Sequence, residues 1–240
     1  MVRYKRILLK LSGEVLSGEQ GFGIVPEAIQ PICREVIKLH GLGVQIALVI
    51  GGGNIFRGIK ASKQGIDRVT GDYMGMLATI INGLAFQDTL EKNSIPTALI
   101  SPISIAELSE SFFRRKVIRY LEKGNIVIFS GGTGNPYFST DTAASLRAAQ
   151  INADIILKGT KVDGVYEGDP QTIPNLKKFD SISYDDVLNH GLKVMDATAI
   201  AMCRDNNIPI IVFNLHHEDA LVKIANGEPV GTIIKEDANG

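Results

Sequence analysis

Three glycine-rich segments, each directly after a short β-rich run, are the places where this chain could do chemistry. The first is Lys10-Leu11-Ser12-Gly13. The second is Gly51-Gly52-Gly53-Asn54, with Arg57-Gly58 just beyond. The third is Gly131-Gly132-Thr133-Gly134-Asn135-Pro136, which leads to Asp141 and a helical pattern. Glycine lets backbone N–H groups approach an anion closely, and a following helix N-terminus adds a favourable field. One such loop is satisfied by a tight turn. Three at three strand ends, one of them a glycine triplet, point to a phosphate-bearing ligand. Lys10 agrees with this reading, because a lone lysine inside the apolar run Ile7–Leu11 needs a reason to be there.

The segments by themselves leave the phosphate ligand open, but they exclude common ones. The pattern G-x-x-x-x-G-K-[ST] of P-loop enzymes is missing, as is the dinucleotide pattern G-x-G-x-x-G. There is no G-x-S-x-G elbow and no His/Cys cluster at zinc spacing. His216 and His217 are adjacent, so on a regular element their side chains would diverge; they read as a solvated loop pair.

The elements that must position these loops alternate between two periods. β-rich runs are read at Arg6–Leu11, Gln45–Ile50, Thr97–Ile100, Asn125–Ser130, Asp154–Leu157 and Pro209–Phe213. Several are apolar throughout, as strands buried on both faces of a parallel sheet are. Helical patterns are read at Pro26–Leu39, Gly71–Glu91, Ile105–Lys123, Thr142–Ile151, Met195–Asn206 and Glu218–Asn226. The alternation predicts an α/β fold, a three-layer αβα sandwich with a mostly parallel central sheet. Asp163–Lys178, rich in Gly, Asp and Pro, reads as a long loop or hairpin. The chain is expected to be a single domain, with a weak boundary between two lobes near Ile151.

Composition agrees with a soluble globular protein. The 240 residues are 45% hydrophobic and 21% charged, and 25 Lys+Arg stand against 26 Asp+Glu. No basic excess marks a nucleic-acid binder, so nucleic acid is not expected as a primary partner. No apolar run approaches the ~20 residues of a membrane span. Lys10 interrupts the apolar stretch near the start, which argues against a secretory signal. Cys33 and Cys203 read as buried thiols in a reducing cytoplasm.

Taken together, the segments resemble the amino acid kinase family, in its branch of bacterial uridylate kinases. The resemblance rests on Lys10–Gly13, Ile50–Gly58 (I-G-G-G-N-I-F-R-G), Gly71–Leu77 (G-D-Y-M-G-M-L) and Thr133–Thr142 (T-G-N-P-Y-F-S-T-D-T). It continues through Lys158–Pro170 and Leu192–Asp196 (L-K-V-M-D). It implies phosphoryl transfer from Mg²⁺-ATP to UMP, a step in pyrimidine nucleotide biosynthesis, in a cytoplasmic homohexamer activated by GTP and inhibited by UTP. Met195 stands where a related branch acting on acetylglutamate carries a second lysine.

The resemblance also assigns roles. Lys10, Leu11, Ser12 and Gly13 would line the ATP phosphates. Gly53 and Arg57 would face ATP or the phosphates generally, and Thr160, Tyr166 and Asp169 would hold its adenine and ribose. Gly52 and Asp72 would meet UMP, with Asp72 accepting from the ribose. Thr133, Gly134, Asn135, Pro136, Tyr137, Phe138, Ser139 and Thr140 would enclose it. Lys10, Asp141 and Arg57 would be catalytic, and no protein metal ligand is implied, because the phosphates would carry the magnesium. The segment Gly18, Glu19, Gln20, Gly21, Phe22, Gly23 would be tied to GTP activation. Asp72 and Asp141 each have a simpler reading as helix N-caps.

Overall fold

The computed structural model describes residues 2–56, 65–168, 170, 172, 173 and 175–236. In chain order the strands are β1 (Arg6–Leu11), β2 (Gln45–Ile50), β3 (Thr97–Ser101), β4 (Glu110–Ser111), β5 (Ile126–Phe129), β6 (Ile155–Thr160), β7 (Val165–Tyr166), β8 (Lys178–Phe179), β9 (Ser181–Ser183), β10 (Ile210–Asn214) and β11 (Thr232–Lys235). The helices are α1 (Pro26–Gly41), α2 (Arg68–Lys92), α3 (Arg114–Glu122), α4 (Thr140–Ile151), α5 (Tyr184–Asn189), α6 (Ala197–Asp205) and α7 (Ala220–Ala225). Nine strands form one sheet in the order β4-β3-β5-β2-β1-β6-β10-β11-β9, parallel except for the β10–β11 pair. β7 and β8 make a separate antiparallel hairpin, so Asp163–Lys178 is a hairpin with a long connection.

The uniformly apolar strands follow from burial on both sides. In β1, Ile7, Leu9 and Leu11 face one core with α1, α7 and the second half of α2. Leu8 faces the other core, with α3, α4 and α6. Lys10 takes the last position on this second face, where alternation along the strand would otherwise put another apolar residue. There it meets the N-terminus of α4 rather than its apolar body. The strands that precede residue 151 build one half of the sheet and those after it build the other, and they join at the β1–β6 pair.

The structure redraws several of the expected elements. The helix expected over Ile105–Lys123 forms only at Arg114–Glu122, and Glu110–Ser111 is an edge strand on β3. Glu110 is engaged there by Tyr120 and Lys116, which turns the preceding segment away from helical continuation. The run expected at Asp154–Leu157 continues to Thr160, because Lys158, Gly159 and Thr160 find partners in β10, and Lys158 and Gly159 also pair with β1. α2 starts at Arg68 rather than Gly71, capped by Asp67, whose carboxylate accepts from Val69 and Thr70 N–H. α6 begins at Ala197 and α7 spans only six residues. β9, β11 and α5 have no counterpart in the sequence reading. Leu77 and Ile81, apolar residues within the helical pattern read at Gly71–Glu91, point outward with Tyr73 and Met74. Cys33 and Cys203 are buried free thiols, and His216 and His217 lie in an exposed turn.

Candidate active site

Parallel pairing puts the carboxyl ends of β1, β2, β5, β6 and β10 at one edge of the sheet, and the three glycine loops converge there. Lys10 and Lys158 are register partners on β1 and β6, so their side chains leave the same face side by side. Asp141, in the first turn of α4, reaches between them. Its Oδ1 lies 2.6 Å from Lys10 Nζ and its Oδ2 3.0 Å from Lys158 Nζ. All three side chains are less than one-fifth exposed. Lys158 also donates to the carbonyl of Val194.

In direct contact two ammoniums share one carboxylate, while the Asp196 carboxylate acts on Lys158 from further away. A mostly buried charge needs a counterion, so the cluster is suited to an anionic ligand. Burial pushes the Asp141 carboxyl up, but the charges and hydrogen bonds of Lys10 and Lys158 outweigh it and hold the group below the usual carboxylate range. Burial pulls Lys158 below an ordinary lysine; Asp141 opposes that shift and Lys10 reinforces it. The N-cap reading of Asp141 gives way to Ser139, whose hydroxyl accepts from Asp141 and Thr142 N–H.

Asp196, quoted in the sequence but given no role there, organises the same corner. Its carboxylate caps α6 through Ala199 N–H at 2.9 Å and accepts from the hydroxyls of Thr142 and Ser139. It therefore joins the segment before α6 to the start of α4. Lys158 and Asp196 are the residues that sequence reasoning missed. Their signal was there, a lysine between a buried strand and a glycine and an aspartate before an apolar helix, but only strand pairing puts Lys158 beside Lys10 and only the packing of α6 on α4 brings Asp196 to Thr142.

Two clefts flank the cluster. The larger, about 550 Å³, is lined by Lys158, Thr160, the hairpin with Tyr166, and the backbone stretch His190–Val194. Thr160 and Tyr166 thus share one cleft, and the Tyr166 hydroxyl donates to Asp163 at 2.5 Å. The smaller, about 140 Å³, is lined by Gly52, Gly53, Asp72, Phe138, Ser139 and Thr140, together with Phe56, Met76 and Thr79. Gly52 presses onto α2: a Cβ there would stand 2.8 Å from both Ala78 Cβ and the Gly75 carbonyl oxygen. Asp72 is not the cap of α2, which Asp67 provides; its side chain is only 17% exposed and is turned toward the loop that carries Tyr137.

The first two glycine loops are packed against each other. A Cβ on Gly13 would overlap the Gly51 carbonyl and the Asn54 side chain. Behind them the buried amides of Asn54 and Asn82 exchange hydrogen bonds at 3.0 and 2.7 Å. Asn54 also holds Gly23 through its side chain and its backbone carbonyl, tying the exposed segment Gly18–Gly23 to the glycine triplet. Ser12 caps the short turn Gly13–Leu16, and Leu11 is fully buried, so its side chain is core. Thr133 and Asn135 close their own turn through the Thr133 hydroxyl. Pro136 and Tyr137 continue that loop. Arg57 and Asp169 lie outside the described residues.

Comparison with known proteins places this arrangement. Residues 5–214 match the amino acid kinase family. The chain is 55% identical over 234 residues to a uridylate kinase of Pseudomonas putida, covering 98% of this chain and 95% of that one. It is equally identical to a uridylate kinase of Pseudomonas paraeruginosa, over 98% and 96% of the two chains. Among solved structures, a UMP kinase from Bacillus anthracis superposes with a TM-score of 0.95 at 38% identity, covering 98% and 97% of the chains. A UMP kinase from Ureaplasma parvum gives 0.91 at 38% identity, over 98% and 100%. These likenesses run along nearly the whole chain: it belongs to the amino acid kinase family, in its uridylate kinase branch.

Proposed function

We propose that this chain transfers the γ-phosphoryl group of ATP directly to UMP, giving UDP and ADP. The observation that carries the reading is the Lys10–Asp141–Lys158 cluster, in which two ammoniums share one carboxylate, between a large and a small cleft. The large cleft takes ATP: Thr160, Tyr166 and the backbone of His190–Val194 surround the base and ribose, joined by Asp169. The small cleft takes UMP, with Gly52 beneath it, Asp72 toward its ribose and residues 133–140 around it. Uracil is told from cytosine by polar groups of that loop, since apolar packing alone gives little discrimination.

The attacking oxygen is already anionic, because the second pKa of a phosphate monoester is near 6. No general base is required. The difficulty is the repulsion between two polyanions, which Lys10, Lys158, Arg57 and loop N–H groups offset. Asp141 orients the two lysines and keeps their charges compensated. Among the described residues no group of three or more His, Cys, Asp or Glu could hold a metal, and Asp141 is committed to the lysines. These residues fit a Mg²⁺ ion carried mainly by the nucleotide phosphates, where it would neutralise charge. In-line alignment of the two nucleotides supplies much of the remaining rate.

The finer behaviour belongs to the same reading. GTP activates through Gly18–Gly23, whose link to Asn54 leads to the glycine triplet. UTP inhibits. The chain assembles as a homohexamer in the cytoplasm, and the outward strip Tyr73, Met74, Leu77 and Ile81 on α2 supports self-association. The nine-stranded sheet makes one domain, with an acceptor-side lobe before residue 151 and a donor-side lobe after it. No helix among the described residues is long and apolar enough to cross a membrane.

Product analysis tests the reading. Purified protein is given Mg-ATP with UMP, CMP, AMP, glutamate or acetylglutamate in turn, and products are separated by ion exchange. UDP from UMP alone is the expected result. Turnover of an amino acid instead of UMP would overturn it. GTP and UTP titrations and light scattering test regulation and assembly.

A further inference from the structure

Asp72 already has two partners. Arg68, one helical turn earlier on α2, directs its Nε–H at both carboxylate oxygens, at 3.0 and 2.8 Å. The backbone N–H of Tyr137 donates to Oδ2 at 2.7 Å. The guanidinium carbon of Arg68 also stands 5.5 Å from the centre of the Tyr137 ring. Tyr137 has φ of 72°, in the left-handed region that favours glycine. A single carboxylate thus fastens the loop carrying Tyr137 to α2, and Arg68 grips both the carboxylate and the ring.

The Arg68–Asp72 pair does not serve its own helix. Arg68 is the first residue of α2, where the helix dipole disfavours a cation. The order base then acid, four residues apart, is the weaker orientation of such a pair. Asp72 is also too covered for an ordinary solvated surface pair. What the pair bears on is the small cleft, because Asp72 is part of its lining.

We propose that Arg68 is a positioning residue for the acceptor nucleotide. It holds the Asp72 carboxylate in the orientation that serves the Tyr137 N–H in the closed loop and the ribose hydroxyls when the acceptor binds. Arg68 touches none of the reacting atoms; it acts through Asp72 and through the seating of Tyr137. The proposal rests on the reading of the small cleft as the UMP site.

Steady-state kinetics on the full chain test it, using Arg68→Ala, Arg68→Lys, Asp72→Asn and the Arg68→Ala/Asp72→Asn double variant with UMP and dUMP as acceptors. Arg68→Ala should raise KM for UMP about ten-fold and narrow the preference for UMP over dUMP, with kcat and KM for ATP changed less than about three-fold. Arg68→Lys should recover part of the loss, since an ammonium pairs with the carboxylate but lacks the planar fork. In the Asp72→Asn background, Arg68→Ala should add less than about two-fold, because the two act as one unit. An unchanged KM for UMP in Arg68→Ala, or the same ten-fold effect with and without Asp72, would overturn the proposal alone. Parallel rises in both KM values with a lowered Tm would also overturn it, by making the role merely structural. Wild-type protein that makes no UDP would overturn the reading of the small cleft, and the proposal with it.

Discussion

The two clefts beside Asp141 are built on opposite plans. The larger is framed by the hairpin and the backbone of residues 190–194, and its roughly 550 Å³ already has the size of a nucleotide site. The smaller, about 140 Å³, is walled by α2, the glycine triplet and residues 138–140, and Asp72 in its lining also accepts from the Tyr137 N–H. A preformed cleft binds its ligand with little rearrangement. A ligand that bonds to Asp72 in the smaller cleft would share or replace the hydrogen bonds that Arg68 and Tyr137 already make to it. Changes on the two sides should therefore have different kinetic signatures, and changes at the junction should affect chemistry itself.

The largest effect is expected at the junction. Lys10→Ala should lower kcat by ~10³-fold or more while leaving UMP binding by calorimetry nearly intact; unchanged turnover would remove Lys10 from the mechanism. Asp141→Asn should cost ~10²-fold in kcat and about 3 kcal/mol of stability by urea titration, because two ammoniums are left facing each other in a covered site. A stable variant with a normal rate would show that the ion pairs are incidental.

The junction also predicts the pH dependence. A carboxyl held low contributes stability above its ordinary range, and that contribution is lost as pH falls through its lowered value. A lysine held low behaves differently: the folded state releases its proton first, so Lys158 makes stability rise with pH between its lowered and ordinary values. Activity that needs the charged Lys158 should fall on the alkaline side before an ordinary lysine would titrate. In Asp141→Asn the charge that helps Lys158 keep its proton is gone, and the alkaline limb of kcat/KM should move to lower pH. A limb that stays in place would assign it to another group.

Smaller effects should separate the clefts. Gly52→Ala puts a methyl 2.8 Å from the α2 backbone and should raise KM for UMP about ten-fold with KM for ATP unchanged; equal effects on both would erase the contrast between the sites. The smallest effect concerns the thiols. Burial pushes Cys33 up to about 12 and Cys203 up to about 11, so iodoacetamide at neutral pH should label neither until the protein unfolds. Labelling of the folded protein would show an opening of one core that the structure does not contain.

The central strands and the glycine loops were legible because their causes are local. β1 and β2 have the bounds that the apolar runs gave them, since strands buried on both faces carry no ambiguity of face. The edge of the sheet was much less legible. β4, β9 and β11 are two to four residues long, and β9 pairs with β11 about fifty positions further along the chain. Ile105–Lys123 has helical spacing over its whole length, yet the helix starts only at Arg114, because Glu110 and Ser111 pair with β3. Propensity yields there because tertiary contacts outweigh it.

The candidate site divides in the same way. The glycine triplet, Lys10 and the aspartates were visible as residue types at strand ends, and the motif resemblance gave them roles. Composition and spacing could not tell that Asp67 and Ser139 provide the caps, which frees Asp72 and Asp141 for other partners. They could not bring Lys158 beside Lys10, since 148 positions separate them along the chain and one sheet register unites them. The sequence by itself determined that this is a parallel α/β protein with glycine-rich loops at its strand ends, because glycine, apolar runs and a lone buried lysine act through local geometry. Only the tertiary structure decided which charges meet, which carboxylates are already occupied and which cleft is large, because those depend on pairings between segments that have no neighbourhood until the chain folds.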